Sequence, residues 1–359
     1  MNNIDLSIIV PVFNVEGYLK RALDSILKQS SSINYEIVLI DDGSSDNSGA
    51  ICDEYQNNFS NVCVRHIENN GVSEARNLGI SLSRGNYLFF MDPDDFVSED
   101  FFEKIFPNLN DKWDVLCFGY NEIKENKDTI LSCRPHLYTH CGLLGKNEFR
   151  NEFIELFKTD MMYNVWSRIY NKSFILKHDI KFPSKPIGED TSFNFQVYRY
   201  LDNILFIEST LYNYIAGRSG SALTSFHPRR IEIQLDELQA LQKLLEKFQI
   251  EDATLIQEIK TKIIVSAAFQ ISNLNARRRE KIELLQSIIT NKAFDNIFSG
   301  NRNQMIGSYK TLLRQRDISS FLRRLSIDLL AKKKFRTVIF IEKMKMNPIL
   351  RKIDRKSTR

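Results

Sequence analysis

Short apolar runs alternate with amphipathic segments from residue 6 to residue 91. Leu6-Ser7-Ile8-Ile9-Val10-Pro11 reads as a buried strand, and Tyr18, Leu19, Ala22, Leu23, Ile26 and Leu27 then recur at helical spacing. Tyr35–Ile40 is a second strand ending in Asp41-Asp42-Gly43-Ser44, with Ser45 or Asp46 placed to cap a helix running to Tyr55. Val62–His66 is a third strand, Val72–Leu82 a third helix and Asn86–Met91 a fourth strand. This alternation predicts an α/β fold: a Rossmann-like, mostly parallel sheet flanked by helices, with ligands at the carboxyl ends of the strands. Polar clusters at Asn14, Asp41-Asp42, Asn69-Asn70-Gly71 and Asp92–Asp95 all fall at such ends.

Past residue 110 the rhythm loosens. Trp113–Tyr120 reads as a strand, Asn121–Thr129 as a hairpin or loop, and Asn147–Lys158 as a helix. Val165–Tyr170 precedes a helix to about His178, and Gly188-Glu189-Asp190 opens an amphipathic helix over Thr191–Tyr200. From about Pro228 the pattern is helical, with Leu235, Leu238, Leu241, Leu244 and Leu245 on one stripe. The expected organisation is an α/β domain over 1–225, divided into halves 1–110 and 111–225, followed by a helical C-terminal region over 226–359.

Charge refines the second part. The chain of 359 residues carries a net +4, yet Phe321–Arg359 holds 13 Lys/Arg against 3 Asp/Glu. The region basic from about 321 sets Lys332-Lys333-Lys334 and Arg336 beside Val338–Ile341, which suits a helix lying on an anionic membrane surface. A solvated helical face explains it equally well, and nothing else points to nucleic acid. Five cysteines without a CxxC pair fit a reducing cytosol and no zinc site. Neither a signal peptide nor a membrane-spanning stretch is expected.

The run Met91-Asp92-Pro93-Asp94-Asp95 carries the densest chemistry. Three carboxylates at the end of a buried strand repel one another, a conflict that Mg²⁺ or Mn²⁺ would resolve while holding a phosphorylated ligand. A helix-capping polar turn would use the same residues. No glycine-rich dinucleotide turn follows the first strand and no GxxxxGK[ST] occurs, so phosphates would be met by metal and side chains.

The ordered pieces PVFN at 11–14, DDGSSDNS at 41–48, NNGVSEARNLGI at 69–80, MDPDD at 91–95, VWSRIYNKSF at 165–174, GEDTSF at 188–193 and YNYIAGRSGSALT at 212–224 resemble family 2 glycosyltransferases of the GT-A fold. That resemblance implies an inverting enzyme using a nucleotide-diphosphate sugar, with 1–110 as the nucleotide-binding half and 111–225 as the acceptor half. Pro11, Val12, Asn14, Gly71 and Arg76 would line the nucleotide. Asp41 and Asp42 are equal candidates for reading a uracil base. Asp94 is the first metal ligand, Asp92 contacts metal, ribose or sugar, and Asp95 either supports the metal ligands from behind or orients the donor. Asp190 is the base that takes the acceptor proton, with Glu189 assisting. Trp166, for which buried core is an equally good reading, and Arg168 belong to the acceptor side, and Arg218 with Ser221 would close over the pyrophosphate.

The expected function is metal-dependent transfer of a sugar, from a UDP-sugar, to a saccharide acceptor carried on a polyprenyl diphosphate. Bacterial capsule, exopolysaccharide or O-antigen synthesis is the implied setting, at the cytoplasmic face of the membrane, with the helical region available for membrane contact or homo-oligomer formation. Two alternatives stand beside it: a noncatalytic nucleotide-sugar-binding subunit of a transferase complex, and a nucleotidyltransferase.

Overall fold

Strand β1 (Leu6–Val12) is buried over its whole length because parallel neighbours flank both edges, β2 (Tyr35–Asp41) on one side and β4 (Tyr87–Phe90) on the other. Strand β3 (Val62–His66) extends the parallel set beyond β2. The computed structural model describes residues 4–30, 33–110, 112–126, 129–217, 229–299 and 318–344. Among these, ten strands form one sheet whose main path runs β3-β2-β1-β4, then β9 (Arg168–Asn171), β6 (Val115–Asn126), β10 (Asn203–Ile215) and β5 (Phe96–Val97). Strand β9 is antiparallel to both β4 and β6, which leaves β6 and β10 pointing the same way as β4. The expected parallel α/β sheet is therefore present, with a mixed second half. Its carboxyl ends gather at one edge.

Helices α1 (Leu19–Leu27), α2 (Ser48–Asn58) and α3 (Val72–Leu82) make the crossovers. Two boundaries differ from the sequence pattern for local reasons. Helix α2 starts at Ser48, whose N–H donates to Asp46 Oδ1 at 2.9 Å, while Asp46 Oδ2 accepts from Glu16 N–H at 3.0 Å. Helix α7 (Glu189–Tyr200) starts two residues earlier than expected, after Gly188 at φ +77, so Glu189 and Asp190 both lie in its first turn, where free N–H groups favour carboxylates. The segment expected as hairpin or loop is a hairpin: β6 continues to Asn126 and β7 (Thr129–His136) returns beside it.

The chain divides into two compact units, Met1–Ala222 and Leu223–Arg359. The second has its own core from α9 (Ala253–Asn273), α10 (Arg278–Thr290) and the helices Ile318–Ala331 and Phe335–Met344. Val338 and Ile339 are buried in that core, so only part of the apolar run Val338–Ile341 is left at the surface. Phe340 remains outside, 62% exposed, with Lys332–Lys334 and Arg336 also exposed. Among the described residues no helix is long and apolar enough to cross a membrane.

Helix α3 seats on β1 through Gly79, where an added Cβ would collide with Cγ2 of Ile9. Because Ile9 is fully buried, Gly79→Ala is expected to lower stability by about 1–3 kcal/mol. Urea unfolding checks this, and an unchanged midpoint would show that the helix can shift without cost.

Candidate active site

The nucleotide half is laced by its own polar groups. Asn14, two residues beyond β1, adopts φ +50 and its Oδ1 accepts from Ser45 N–H at 2.8 Å, while its own N–H donates to Ser44 Oγ at 3.1 Å. Asp41 is buried, with Oδ1 accepting from Ser44 N–H at 3.1 Å and Oδ2 facing His66 Nδ1 at 2.7 Å. Asp42 is buried too, and its two oxygens accept from the N–H groups of Asn70 and Gly71 at 2.8 and 2.9 Å. Gly71 holds φ +91 with ψ 161, a backbone conformation that side-chain-bearing residues avoid, and so turns those N–H groups onto Asp42. Pro11 and Val12 are buried within β1, so they shape the site through the backbone and the packing beneath it.

The acidic run folds as a tight turn. Asp95 N–H donates to Asp92 O at 3.2 Å, which puts Pro93 where a fixed φ suits the turn. One carboxylate oxygen from each of Asp92, Asp94 and Asp95 lies within 4.8 Å of the others. Asp95 is 1% exposed and accepts from Tyr212 Oη–H and Ile215 N–H, each at 2.8 Å; the same Tyr212 oxygen accepts from Asp92 N–H at 3.1 Å. Burial first, then the charges of Asp94 and Asp92, hold the Asp95 carboxyl well above the ordinary carboxylate range. A dense set of hard oxygen ligands with surplus negative charge fits a hard divalent cation such as Mg²⁺ or Mn²⁺.

Arg76 of α3 joins this turn to α7. Its guanidinium, 3% exposed, donates to Asp92 Oδ1 at 2.9 Å, Glu189 Oε1 at 3.0 Å and Asp190 Oδ1 at 2.7 Å, and it lies 5.2 Å from the Phe182 ring centre. Burial alone would lower the Arg76 pKa, but the three carboxylates raise it on balance. Asp190 is pushed up to about 8, chiefly by burial, with Glu189 and Asp92 adding to the rise and Arg76 opposing it. Residues far apart in sequence thus meet at one guanidinium.

On the acceptor side the structure corrects one residue and qualifies another. Arg168 is wholly buried: its guanidinium donates to Met161 O at 2.6 Å and Tyr138 Oη at 3.1 Å and pairs with Tyr198 Oη, so it braces the interior and offers no contact to an acceptor. Trp166 is 9% exposed and stacks on Tyr212 at 4.7 Å and Tyr214 at 5.5 Å, a packing role beneath the acidic turn. Arg218 and Ser221 lie outside the described residues.

Three contributors were missed by sequence reasoning. Tyr212 was within a motif segment but unassigned; Phe182 lay in a stretch read only as loop; His66 ended a strand beside other polar clusters, which was its one visible signal.

The sequence pattern of glycosyl transferase family 2 matches residues 7–175. Residues 7–175 are thus similar to that family. The glycosyltransferase EpsJ of Bacillus subtilis is 31% identical over 211 residues, covering 58% of this chain and 60% of EpsJ. Glycosyltransferase GlyA of Streptococcus pneumoniae is 31% identical over 221 residues, covering 58% of this chain and 30% of GlyA. The chain thus matches less than two thirds of these relatives' lengths. The crystal structure of S. aureus TarS 1–349 in complex with UDP-GlcNAc covers 95% of this chain and 91% of its own, with a TM-score of 0.52 and 18% identity, a likeness of fold that agrees with the GT-A type.

Replacing Arg76 by Met leaves three part-buried carboxylates facing one another. A loss of about 3–5 kcal/mol is expected, with Arg76→Lys recovering only part because an ammonium lacks the planar fork. Urea unfolding of the pair tests it, and wild-type stability in Arg76→Met would dismiss the cluster as an organising element.

Proposed function

We propose that the chain is an inverting glycosyltransferase that moves a sugar from a UDP-sugar to a saccharide hydroxyl in bacterial surface polysaccharide synthesis. The observation that carries this is the single Arg76 cluster holding Asp92, of the donor-side turn, beside Asp190 and Glu189 of α7. A B. subtilis relative named for minor teichoic acid biosynthesis, GgaB, is 43% identical over 153 residues, and the TarS complex holds UDP-GlcNAc; both support the setting and the donor class.

In this reading the nucleotide sits over the loops at Asn14, Asp41–Ser44 and Gly71, with Asp41 or Asp42 reading the base. Asp94 and Asp92 would hold Mg²⁺ or Mn²⁺, an ion that would supply positive charge near the leaving diphosphate. Asp190 accepts the acceptor hydroxyl's proton as that oxygen bonds to the anomeric carbon from the face opposite the leaving group. The bond from anomeric carbon to diphosphate oxygen breaks, and the configuration inverts. A base with a pKa near the working pH suits this task. Glu189 shares Arg76 and keeps Asp190 aligned. The acceptor is an oligosaccharide on a polyprenyl diphosphate at the cytoplasmic membrane face, and the exposed Lys332–Lys334, Arg336 and Phe340 are the contact to anionic lipid.

Asp190→Asn is expected to lower transfer by about 10²–10⁴-fold while UDP-sugar binding persists. Near-normal transfer would remove the base assignment, and release of pyrophosphate in place of UDP would favour a nucleotidyltransferase. Separately, chelation should abolish transfer, Mn²⁺ should restore it to the wild type, and Asp94→Asn should respond to neither. Full activity in chelator would dispose of the metal role.

A further inference from the structure

His66 stands at the end of β3 with a carboxylate against each ring nitrogen: Asp41 Oδ2 lies 2.7 Å from Nδ1, and Asp53 Oδ1 of α2 lies 3.1 Å from Nε2. A neutral imidazole has one N–H and one lone pair, so it can donate to one of these partners only and must turn its lone pair toward the other. Both hydrogen bonds form together only when the ring is doubly protonated. The other titratable group on this face of α2 is Cys52, whose buried thiol is pushed up to about 12 and stays neutral. The hydrogen bond to Asp41, aided by Asp53, outweighs desolvation and raises the His66 pKa above its ordinary value. The approach depends on Gly49, where an added Cβ would sit 2.9 Å from Asp41 Oδ2.

The consequence runs inward along a continuous chain of hydrogen bonds. His66 fixes Asp41, Asp41 Oδ1 accepts from Ser44 N–H, Ser44 Oγ accepts from Asn14 N–H, and Asn14 Oδ1 accepts from Ser45 N–H. Two of the three loops assigned above to the nucleotide, at Asn14 and at Asp41–Ser44, are thereby linked to one imidazole at the sheet margin. His66 itself is 46% exposed at its side chain, within reach of solvent protons.

We propose that His66 is a positioning residue of the nucleotide site, which its imidazolium form holds in the binding geometry through a charge-assisted bond to Asp41 and its neutral form, with one N–H for two carboxylates, holds less firmly. The inference rests on the nucleotide-sugar reading above and adds to it a proton-controlled affinity. The sign follows from the ring's charge: nucleotide binding is strongest below the His66 pKa and weakens as pH rises through it.

The test is calorimetric titration with UDP and Mn²⁺ between pH 6 and 8.5 for wild type, His66→Gln and Asp53→Asn. Relative to His66→Gln, whose amide cannot titrate, wild-type affinity is expected to fall about tenfold across the range, the worth of one charge-assisted hydrogen bond. Asp53 is 56% exposed and bonds His66 from the side away from Asp41. Its neutralisation should move the midpoint of that fall to lower pH and leave the low-pH affinity unchanged, a shift that a purely structural His66 would not produce. Superimposable pH curves for wild type and His66→Gln, or an unmoved midpoint in Asp53→Asn, would overturn the proposal. If wild type fails to bind UDP at every pH, the nucleotide reading falls and this one with it.

Discussion

The buried guanidinium of Arg76 is the contact on which the arrangement of the candidate site depends. Removing a cation from water costs several kcal/mol, and here three carboxylates offset it. The dependence is mutual. Asp92, Glu189 and Asp190 come from two elements separated by about a hundred residues, and without a shared cation their charges would drive the β4 turn and the start of α7 apart. Arg76 reaches them because α3 lies flat on β1 at Gly79, so a packing detail in the core fixes an electrostatic detail at the surface.

Among the described residues, Arg76 meets Asp92, Glu189 and Asp190, while Asp94 and Asp95 add two more carboxyls beside Asp92. Asp95 is accommodated by a tyrosine hydroxyl, a backbone N–H and an upward pKa shift. In the reading proposed above, a divalent ion would offset the repulsion among Asp92, Asp94 and Asp95, and side chains already fixed by these contacts would need little reorganisation.

The parallel half of the sheet and its acidic strand ends were legible in the sequence because they follow from period and from residue chemistry. Apolar runs bounded by amphipathic helices leave little choice of topology, and a carboxylate cluster after Tyr87–Phe90 has few uncharged explanations. What escaped was set by three-dimensional neighbours. Arg168 and Arg76 have the same chemistry, but Arg168 is ringed by Tyr138, Tyr198 and the Met161 carbonyl whereas Arg76 is ringed by acids, and no local pattern distinguishes them. Tyr212 gained its role from β10 running beside β5 (Phe96–Val97) just after the turn. In the second unit, helical periodicity was visible, but which face of the basic helix would be covered depended on partners such as Ile264 and Leu285 that lie outside it.

The two acidic strand ends show why motif alone does not assign a role. Asp41-Asp42 and Asp92–Asp95 have similar composition and occupy equivalent places at the carboxyl edge of the sheet. Asp42 is satisfied by two backbone N–H groups, and Asp41 by one N–H and an imidazole, so this pair is largely neutralised from within and stiffens the loops around it. At the second, Asp92 shares a guanidinium with Glu189 and Asp190, and Asp95 accepts from one hydroxyl and one N–H. Equal acidity therefore meets different surroundings: backbone N–H groups and an imidazole at the first strand end, a shared guanidinium and a tyrosine hydroxyl at the second. The donors within hydrogen-bond reach, more than the Asp residues themselves, distinguish the two strand ends.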